Sequence, residues 1–210
     1  MKKTSLLPSV QQKIASFDID SVSETRKEVL KPLIQYIKSK LDDNKPIKLH
    51  FICTHNSRRS QFSQIWAQAI AAYSNIQISA FSGGVEVTAF NGNAVSAIKY
   101  AGFEVSSEGT ENPVYSVNYA EDTPALKMYS KKFDDRANPQ RDFAAIMTCS
   151  HADETCPFIP GAEKRIPVKY EDPKAFDGTP QQDEKYQGRS DEIATEMLYV
   201  FSTVQKQKSS

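Results

Sequence analysis

The chain has 210 residues, of which 39% are hydrophobic and 10% are aromatic. This composition is sufficient for a folded core and excludes a fully disordered chain. Its 26 Lys and Arg residues balance 26 Asp and Glu residues, so the formal net charge is zero and nothing indicates nucleic-acid binding.

No apolar run approaches the roughly 20 residues that a bilayer requires, so no contact with a membrane is expected. Near the N-terminus, Pro8, Gln11 and Gln12 interrupt any apolar segment, which disfavours a signal peptide. Three Cys residues cannot form a closed set of structural disulfides. The composition therefore favours a cytoplasmic protein.

Residues 1–46 predict a helical extension ahead of the main domain. Apolar residues recur here at the spacing of one helix face, at Val29, Leu30, Leu33, Ile34, Ile37 and Leu41. Pro32 is expected to kink this helix or to begin a second one. We expect the helix to pack on the main domain, as amphipathic helices usually do.

The rest of the chain alternates strand and helix patterns. Four short apolar segments are typical of buried strands: Ile47–Ile52, Ile76–Phe81, Phe143–Thr148 and Ile166–Tyr170. A helix over Asn93–Tyr100 is expected to end at Gly102, and Ser190 is expected to cap a C-terminal helix. This alternation predicts an α/β fold with a central parallel sheet of about four strands, flanked by helices in three layers. Between them, Pro113–Tyr119 and Leu126–Phe133 predict a hairpin.

The loop from Cys53 to Ser60, with the sequence CTHNSRRS, joins the first predicted strand to a helix. In such a loop, backbone N–H groups can converge on one tetrahedral oxyanion at the helix N-terminus, and the same positive end favours a nucleophilic Cys53 thiolate. Arg59 offers a planar fork to two oxyanion oxygens. Ser60 can hydrogen-bond the thiolate, and Asn56 can brace the loop. The alternative is a buried cysteine beside a surface arginine.

Five segments carry a resemblance to a known family. They are CTHNSRRSQ at 53–61, FSGG at 81–84, NGNAVSAIKYAGFEVS at 91–106, TCSHADETCP at 148–157 and EDP at 171–173. Over residues 47–204 the sequence resembles the low-molecular-weight protein tyrosine phosphatases and, within them, the thioredoxin-coupled arsenate reductases. The resemblance implies a domain of this kind over residues 47–210, with an insertion at about 106–142 and the extension 1–46 before it.

The resemblance also implies roles for individual residues. Cys53 is the expected nucleophile, and Asp172, directly before a proline, is the expected general acid that protonates a departing oxygen. The expected oxyanion-binding residues are those of the loop: Thr54, His55, Asn56, Ser57, Arg58, Arg59 and Ser60.

The sequence departs from the family pattern at the loop and near the acid. His55 stands where the family usually has glycine, and Arg58 stands where the phosphatases commonly have a second cysteine. Lys174 and Ala175 replace an aromatic pair that helps many phosphatases hold a phosphotyrosine ring.

Cys149 and Cys156 match a pair of cysteines in the resembled arsenate reductases. There the first attacks the cysteine–arsenate adduct, and the second resolves the resulting disulfide. Seven helical residues rise roughly 10.5 Å, whereas the Cα atoms of a disulfide lie within about 7 Å. A helix between Cys149 and Cys156 must therefore unwind before the two can bond. Ser150 and Asp153 suit such a short helix, and Pro157 stops it from propagating.

These observations predict an arsenate reductase that uses Cys53, Cys149 and Cys156 as a thiol relay. Its expected partners are arsenate and thioredoxin or a similar dithiol reductant, with no cofactor and no metal. One alternative is a phosphatase that acts on phosphotyrosine or a smaller phosphoester through Cys53, Arg59 and Asp172. Another is a non-catalytic module that binds oxyanions or phosphosites. A third, less favoured, is a zinc site made by the three cysteines with His55 and His151.

Overall fold

The computed structural model describes residues 4–155 and 158–208. The helices and strands in these residues are α1 (Pro8–Ala15), α2 (Glu24–Asp42), β1 (Lys48–Cys53), α3 (Arg59–Tyr73), β2 (Ser79–Gly84), α4 (Gly92–Tyr100), β3 (Glu104–Glu108), β4 (Val114–Asn118), β5 (Leu126–Met128), β6 (Phe143–Met147), α5 (Ser150–Thr155), β7 (Ala162–Pro167) and α6 (Gln182–Lys208). Two short 3₁₀ helices cover Ile19–Ser21 and Pro173–Phe176. Across this part of the chain, no helix combines the length and apolar character that crossing a membrane requires.

The central sheet contains four parallel strands in the order β2-β1-β6-β7. Cys53 of β1 lies opposite Gly84 of β2, and Ile52 lies opposite Met147 of β6. Both central strands are almost entirely buried, as their continuous apolar sequences predict for a parallel sheet. The predicted α/β fold, with about four parallel strands flanked by helices, is confirmed.

The two faces of the central sheet pack against separate apolar clusters. Leu49 of β1 and Ile146 of β6 belong to a large core that also takes residues from α1, α2, α3, α4 and α6. Ile52 and Met147 belong to a smaller cluster. Two of the predicted catalytic residues, Cys53 and Cys149, lie in this smaller cluster.

The N-terminal helices pack into the large core. α2 is one helix with Pro32 inside it, so Pro32 does not begin a second helix. Leu30 and Leu33 of α2 and Val10 and Ile14 of α1 are fully buried. These side chains share the core of the main sheet, as expected for a helix that packs on the main domain.

The ends of two helices test the predicted caps. Gly102 follows α4 with a φ of +94°, the left-handed conformation expected there. The prediction that Ser190 caps the C-terminal helix is wrong, because α6 begins at Gln182. Ser190 is instead buried inside α6, where its hydroxyl accepts a hydrogen bond from Trp66 Nε1 at 2.8 Å. The first turns of α6 are polar in sequence, so they carry no apolar periodicity that would predict a helix.

The irregular segment before β6 forms a second, antiparallel sheet in the order β3-β4-β5. The predicted hairpin is present as β4 and β5, with Tyr115 opposite Met128. The third strand, β3, pairs with the other edge of β4 and was not predicted. Its side chains are mostly exposed, so it lacks the apolar pattern on which sequence-based strand prediction depends.

Candidate active site

The predicted site residues gather at the carboxyl edge of the central sheet. Cys53 ends β1, and the neighbouring strand β6 ends just before Cys149. Because the two strands are parallel, both cysteines lie at the same edge of the sheet, where ligands bind in open α/β folds. Helix α3 begins at Arg59, six residues after Cys53, and the short helix α5 begins at Ser150, directly after Cys149.

The Cys53 loop, residues 53–60, holds the Cys53 sulfur beside a hydroxyl group. Cys53 is 3% exposed, and its Sγ lies 3.0 Å from Ser60 Oγ. Asn56 Nδ2 donates a hydrogen bond of 2.9 Å to the same Ser60 oxygen. Asn56 has a φ of +46°, a left-handed conformation that asparagine tolerates better than most residues. The predicted contacts of Ser60 with Cys53 and of Asn56 within the loop are present.

The Cys53 loop contains backbone donors that have no partner among the described residues. None of the N–H groups of residues 55–58 donates a hydrogen bond to an atom of residues 4–155 or 158–208. The N-terminus of α3 also has no side-chain cap at Arg58, and the first N–H groups of a helix have no partner within the helix. Together these donors and the helix dipole suit a tetrahedral oxyanion.

Segments outside the Cys53 loop hold its shape. Ser130 Oγ donates to the carbonyl of His55 at 2.8 Å, and the backbone N–H of Lys131 donates to Asn56 Oδ1 at 3.0 Å. Gln61 Nε2 donates to the carbonyl of Asn56 at 2.8 Å. Ser130 and Lys131 lie in the segment predicted to be an insertion, and no sequence pattern singled them out. This segment therefore supports the loop.

Two features explain how the Cys53 loop tolerates histidine at position 55. His55 is not among the four non-glycine residues of the described chain that have positive φ, so a side chain there carries no backbone strain. Its Nε2 lies 3.2 Å from Glu86 Oε2. The position where close packing does require glycine is Gly84, at the end of β2 beside the loop. A Cβ there would lie 2.7 Å from Asn56 N and 2.8 Å from Thr54 O.

Two other loop residues have partners outside the loop. Ser57 Oγ donates to the carbonyl of Ala89 at 2.7 Å. Arg58 Nε donates to the hydroxyl of Tyr186 at 2.7 Å. The guanidinium of Arg58 is therefore bound by a residue of α6.

Arg59 joins the Cys53 loop to Asp172. Its Nη2 donates to Asp172 Oδ2 at 2.7 Å, and its Nη1 donates to the carbonyl of Tyr170 at 3.1 Å. Arg59 Nε is buried and bonds to no atom of the described residues, so this donor is available to an oxyanion oxygen. Asp172 Oδ1 accepts the N–H of Lys174 and caps the second 3₁₀ helix.

Cys149 lies against the residue that follows Cys53. It is 2% exposed, and its Sγ is 3.4 Å from Thr54 Oγ1 and 3.4 Å from the N–H of Ala152 in α5. Cys149, Arg59 and Asp172 line the same cleft of about 470 Å³. Cys156 lies outside the described residues.

The short helix α5 after Cys149 is present as predicted. Its Asp153 pairs with Arg165 at 2.5 Å and with Lys169 at 2.8 Å. Within residues 4–155 and 158–208, no group of three or more His, Cys, Asp and Glu side chains could hold a metal ion.

Two buried basic residues lie near the Cys53 loop. His50 of β1 is fully buried, and its two ring nitrogens hydrogen-bond to no described residue. Burial, together with the charge of Lys131, lowers the pKa of His50 to about 3. Burial also lowers the pKa of Lys131 to about 8. His50 is therefore neutral near pH 7 and is packed in the interior, away from the cleft.

Individual known proteins, and not a family model, show which family the chain belongs to. No family model matches it. It is 30% identical over 125 residues to an arsenate reductase from Brevibacillus brevis, a match that covers 60% of this chain and 75% of that protein. A low-molecular-weight phosphotyrosine phosphatase from Vibrio cholerae O395 has a TM-score of 0.52 at 13% identity over 77% of this chain and 98% of that one. An arsenate reductase in the phosphate-binding state has a TM-score of 0.50 at 17% identity, over 75% and 98%.

The fold of the chain is that of the low-molecular-weight protein tyrosine phosphatases, because the solved structures share it. Within that family of enzymes, the chain belongs to the arsenate reductase branch. The resemblance to this family and to its arsenate reductase branch is confirmed.

Proposed function

We propose that the chain is an arsenate reductase in which Cys53, Cys149 and Cys156 act in turn. The observation that carries this proposal is the buried Cys149, whose sulfur contacts Thr54 next to Cys53 and lines the same cleft as Arg59 and Asp172. Phosphoester hydrolysis has no use for a second cysteine there. The arsenate reductase relative supports the same function.

In the first proposed step, arsenate binds the free N–H groups of the Cys53 loop and the guanidinium of Arg59. The Cys53 thiolate attacks arsenic, and an S–As bond forms as an As–O bond breaks. Asp172 donates a proton to the departing oxygen, which leaves as water. Arg59 and the loop donors stabilise the charge on the remaining oxygens.

In the second step, the Cys149 thiolate attacks the sulfur of Cys53. A disulfide forms, and the electron pair of the broken S–As bond passes to arsenic. As(V) is thereby reduced to As(III), which leaves as arsenite. The N–H of Ala152 donates to Cys149 Sγ at 3.4 Å and so helps to hold the attacking sulfur in place.

In the third step, the Cys156 thiolate attacks Cys149 and releases the Cys53 thiolate. The new disulfide joins Cys149 to Cys156, and α5 must unwind for it to form. Thioredoxin or a similar dithiol then reduces this disulfide and is itself oxidised. This third step rests on the sequence resemblance, since Cys156 lies outside the described residues.

Phosphomonoester hydrolysis is the second candidate, because Cys53, Arg59 and Asp172 serve it equally well. The cleft favours a small substrate over phosphotyrosine. Among the described residues that line it, the aromatic one is Tyr170, which is buried and donates its hydroxyl to Glu196 at 2.7 Å. It is therefore not available to stack on a substrate ring.

Arsenate-dependent NADPH oxidation with thioredoxin and thioredoxin reductase tests the proposal. The parent protein is expected to sustain turnover, and Cys156→Ser is expected to stop after one turnover with a Cys53–Cys149 disulfide detectable by mass spectrometry. Unchanged steady turnover in Cys156→Ser would refute the resolving role. Ester hydrolysis that survives loss of both Cys149 and Cys156, without arsenate reduction in the parent, would favour the phosphatase. Failure to trap any covalent adduct on Cys53 would favour a non-catalytic module.

A further inference from the structure

A hydrogen-bond network connects the Cys53 loop to the segment that follows Asp172. Arg58 Nε donates to the Tyr186 hydroxyl at 2.7 Å, and that hydroxyl donates to Asp177 Oδ1 at 2.6 Å. Arg58 Nη2 lies 3.5 Å from Asp177 Oδ2, and Asn93 Nδ2 donates to Asp177 Oδ1 at 3.5 Å. The network therefore joins the loop, α4 and α6 at one carboxylate.

The position of Asp177 makes this network relevant to Asp172. Asp172 is the residue before the 3₁₀ helix Pro173–Phe176, and Asp177 is the residue after it. Asp172 is bound by Arg59, and Asp177 is bound by Arg58. Two consecutive arginines of the Cys53 loop therefore hold both ends of one short segment, residues 172–177.

Two groups of the network are shielded from water, whereas its carboxylate is partly exposed. The Arg58 side chain is 11% exposed and Tyr186 is 1% exposed, but the Asp177 side chain is 35% exposed. Burial and the hydrogen bond to Asp177 raise the pKa of Tyr186, so its hydroxyl keeps the proton that it donates to Asp177. Hydrogen bonds to charged partners are about twice as strong as those between neutral groups, and burial of Arg58 and Tyr186 strengthens the bond between these two residues further.

We propose that Arg58, Tyr186 and Asp177 are positioning residues that hold residues 172–177 against the Cys53 loop, so that Asp172 reaches the departing oxygen. This inference rests on the proposed acid role of Asp172. It also gives a use to Arg58, which occupies the loop position where related phosphatases commonly have a cysteine. A displacement of about 1 Å at a reacting group can cost about 100-fold in rate, so a loosened segment should slow proton donation.

The test compares Tyr186→Phe with Tyr36→Phe. Tyr36 is also buried and also donates its hydroxyl to a carboxylate, Glu163, at 2.7 Å, but it lies on α2 outside the cleft. The probes are phenyl phosphate, whose poor leaving group needs an acid, and p-nitrophenyl phosphate, whose good leaving group does not.

For Tyr186→Phe we expect kcat for phenyl phosphate to fall about 10-fold, since general acids contribute about 100-fold or more and the acid is displaced but not removed. We expect p-nitrophenyl phosphate hydrolysis and both KM values to change less than about twofold. Tyr36→Phe should match the parent with both esters. Equal slowing of both esters, or no slowing of either, would overturn the proposal.

Hydrogen exchange supplies a readout that does not depend on catalysis. Backbone amides of residues 172–178 should exchange faster in Tyr186→Phe than in the parent or in Tyr36→Phe, and unchanged exchange there would also overturn the proposal. Asp177→Asn, which keeps an acceptor for Tyr186 but loses the charge facing Arg58, should fall between Tyr186→Phe and the parent. If the parent reduces no arsenate while the exchange and ester results hold, the proposed function fails and the positioning role stands. If arsenate is reduced while Tyr186→Phe behaves like Tyr36→Phe, the positioning role fails alone.

Discussion

The Cys53 loop and the Cys149 segment, residues 149–155, begin alike and end differently. Each follows a central parallel strand and starts with a buried cysteine, 3% exposed at Cys53 and 2% exposed at Cys149. The helix after Cys53 has 15 residues, most of them buried. The helix after Cys149 has six residues, of which Ala152 alone is classed as buried.

One edge of the sheet therefore carries a cysteine on a firmly packed loop and a cysteine on a lightly anchored segment. The Cys53 loop is called the fixed region below, and residues 149–155 are called the movable region because the proposed relay requires them to rearrange. Ser130 and Lys131 bind the Cys53 loop from outside, and α3 packs against β1, β2 and α6. The helix α5 is anchored by the ion pairs of Asp153 and by the buried Ala152, and helices this short are marginal on their own. A fixed loop suits oxyanion binding, and a marginal helix suits a cysteine that must change partners.

The largest effect is expected from removing Cys53, the proposed nucleophile, from the fixed region. Cys53→Ser should lower both arsenate reduction and p-nitrophenyl phosphate hydrolysis at least about 1,000-fold, because both proposed reactions begin with attack by this sulfur. Steady-state rates with both substrates measure this loss. Binding of phosphate, measured by calorimetry, should persist because the loop donors remain. Retention of either activity would show that Cys53 is not the nucleophile.

The same substitution in the movable region should separate the two activities. Cys149→Ser is expected to abolish arsenate reduction, since the proposed second step needs this thiol to attack Cys53. Hydrolysis of p-nitrophenyl phosphate should stay within about threefold of the parent rate, because Cys149 has no role in the proposed hydrolysis. Equal loss of both activities would mean that Cys149 supports the loop structurally rather than chemically.

Lys131, whose backbone supports the fixed region, should make the free energy of unfolding depend on pH. Its Nζ is buried without a hydrogen-bond partner in the described residues, and its pKa is lowered from 10.5 to about 8. Below pH 8 the folded protein buries a cation that the unfolded chain exposes. That cost declines as pH rises from about 8 to 10.5, because the folded state has lost the proton and the unfolded state still holds it.

Lys131→Met is therefore expected to raise the free energy of unfolding at pH 7 by about 3 kcal/mol at most, since one pKa unit corresponds to about 1.4 kcal/mol. The difference from the parent should shrink near pH 10 in urea denaturation. Lys40→Met is the matched control, because Lys40 is also buried but pairs with Glu163 at 2.6 Å, and its loss should destabilise the protein. A Lys131→Met protein less stable than the parent at pH 7 would contradict the expected cost of burial.

The smallest effect is expected at the anchor of the movable region. Asp153→Asn weakens the ion pairs with Arg165 and Lys169 and should cost less than about 1 kcal/mol of global stability, as partly exposed pairs usually do. Its effect should be local, with faster hydrogen exchange in residues 150–155 and none at the Cys53 loop. Asp191→Asn, which removes a pair with Lys13 at 2.7 Å, controls for loss of an ion pair elsewhere. Faster exchange in the Cys53 loop would mean that the two regions are not independent.

The parts of the site that could be predicted from sequence are local in the chain. Cys53, Asn56 and Ser60 lie in one strand–loop–helix unit, so their contacts follow from a spacing of a few residues. The α5 helix could be predicted for the same reason, from Ser150 and Asp153. The local pattern at Ser190 was misleading because the polar residues before it are helical as well, and the Ser190 hydroxyl contacts Trp66, 124 residues away.

Sequence alone is enough to predict the parallel α/β fold, the loop after the first strand and the family to which both belong, because alternating apolar segments and a short motif specify them without distant contacts. The contacts that hold that loop and Asp172 in place become visible only in the packed structure. Ser130 meets His55 across 75 positions, and Arg58 meets Tyr186 across 128. Such pairs depend on how helices and the second sheet pack around the central sheet, and polar side chains that meet only after packing leave no periodic trace in the sequence.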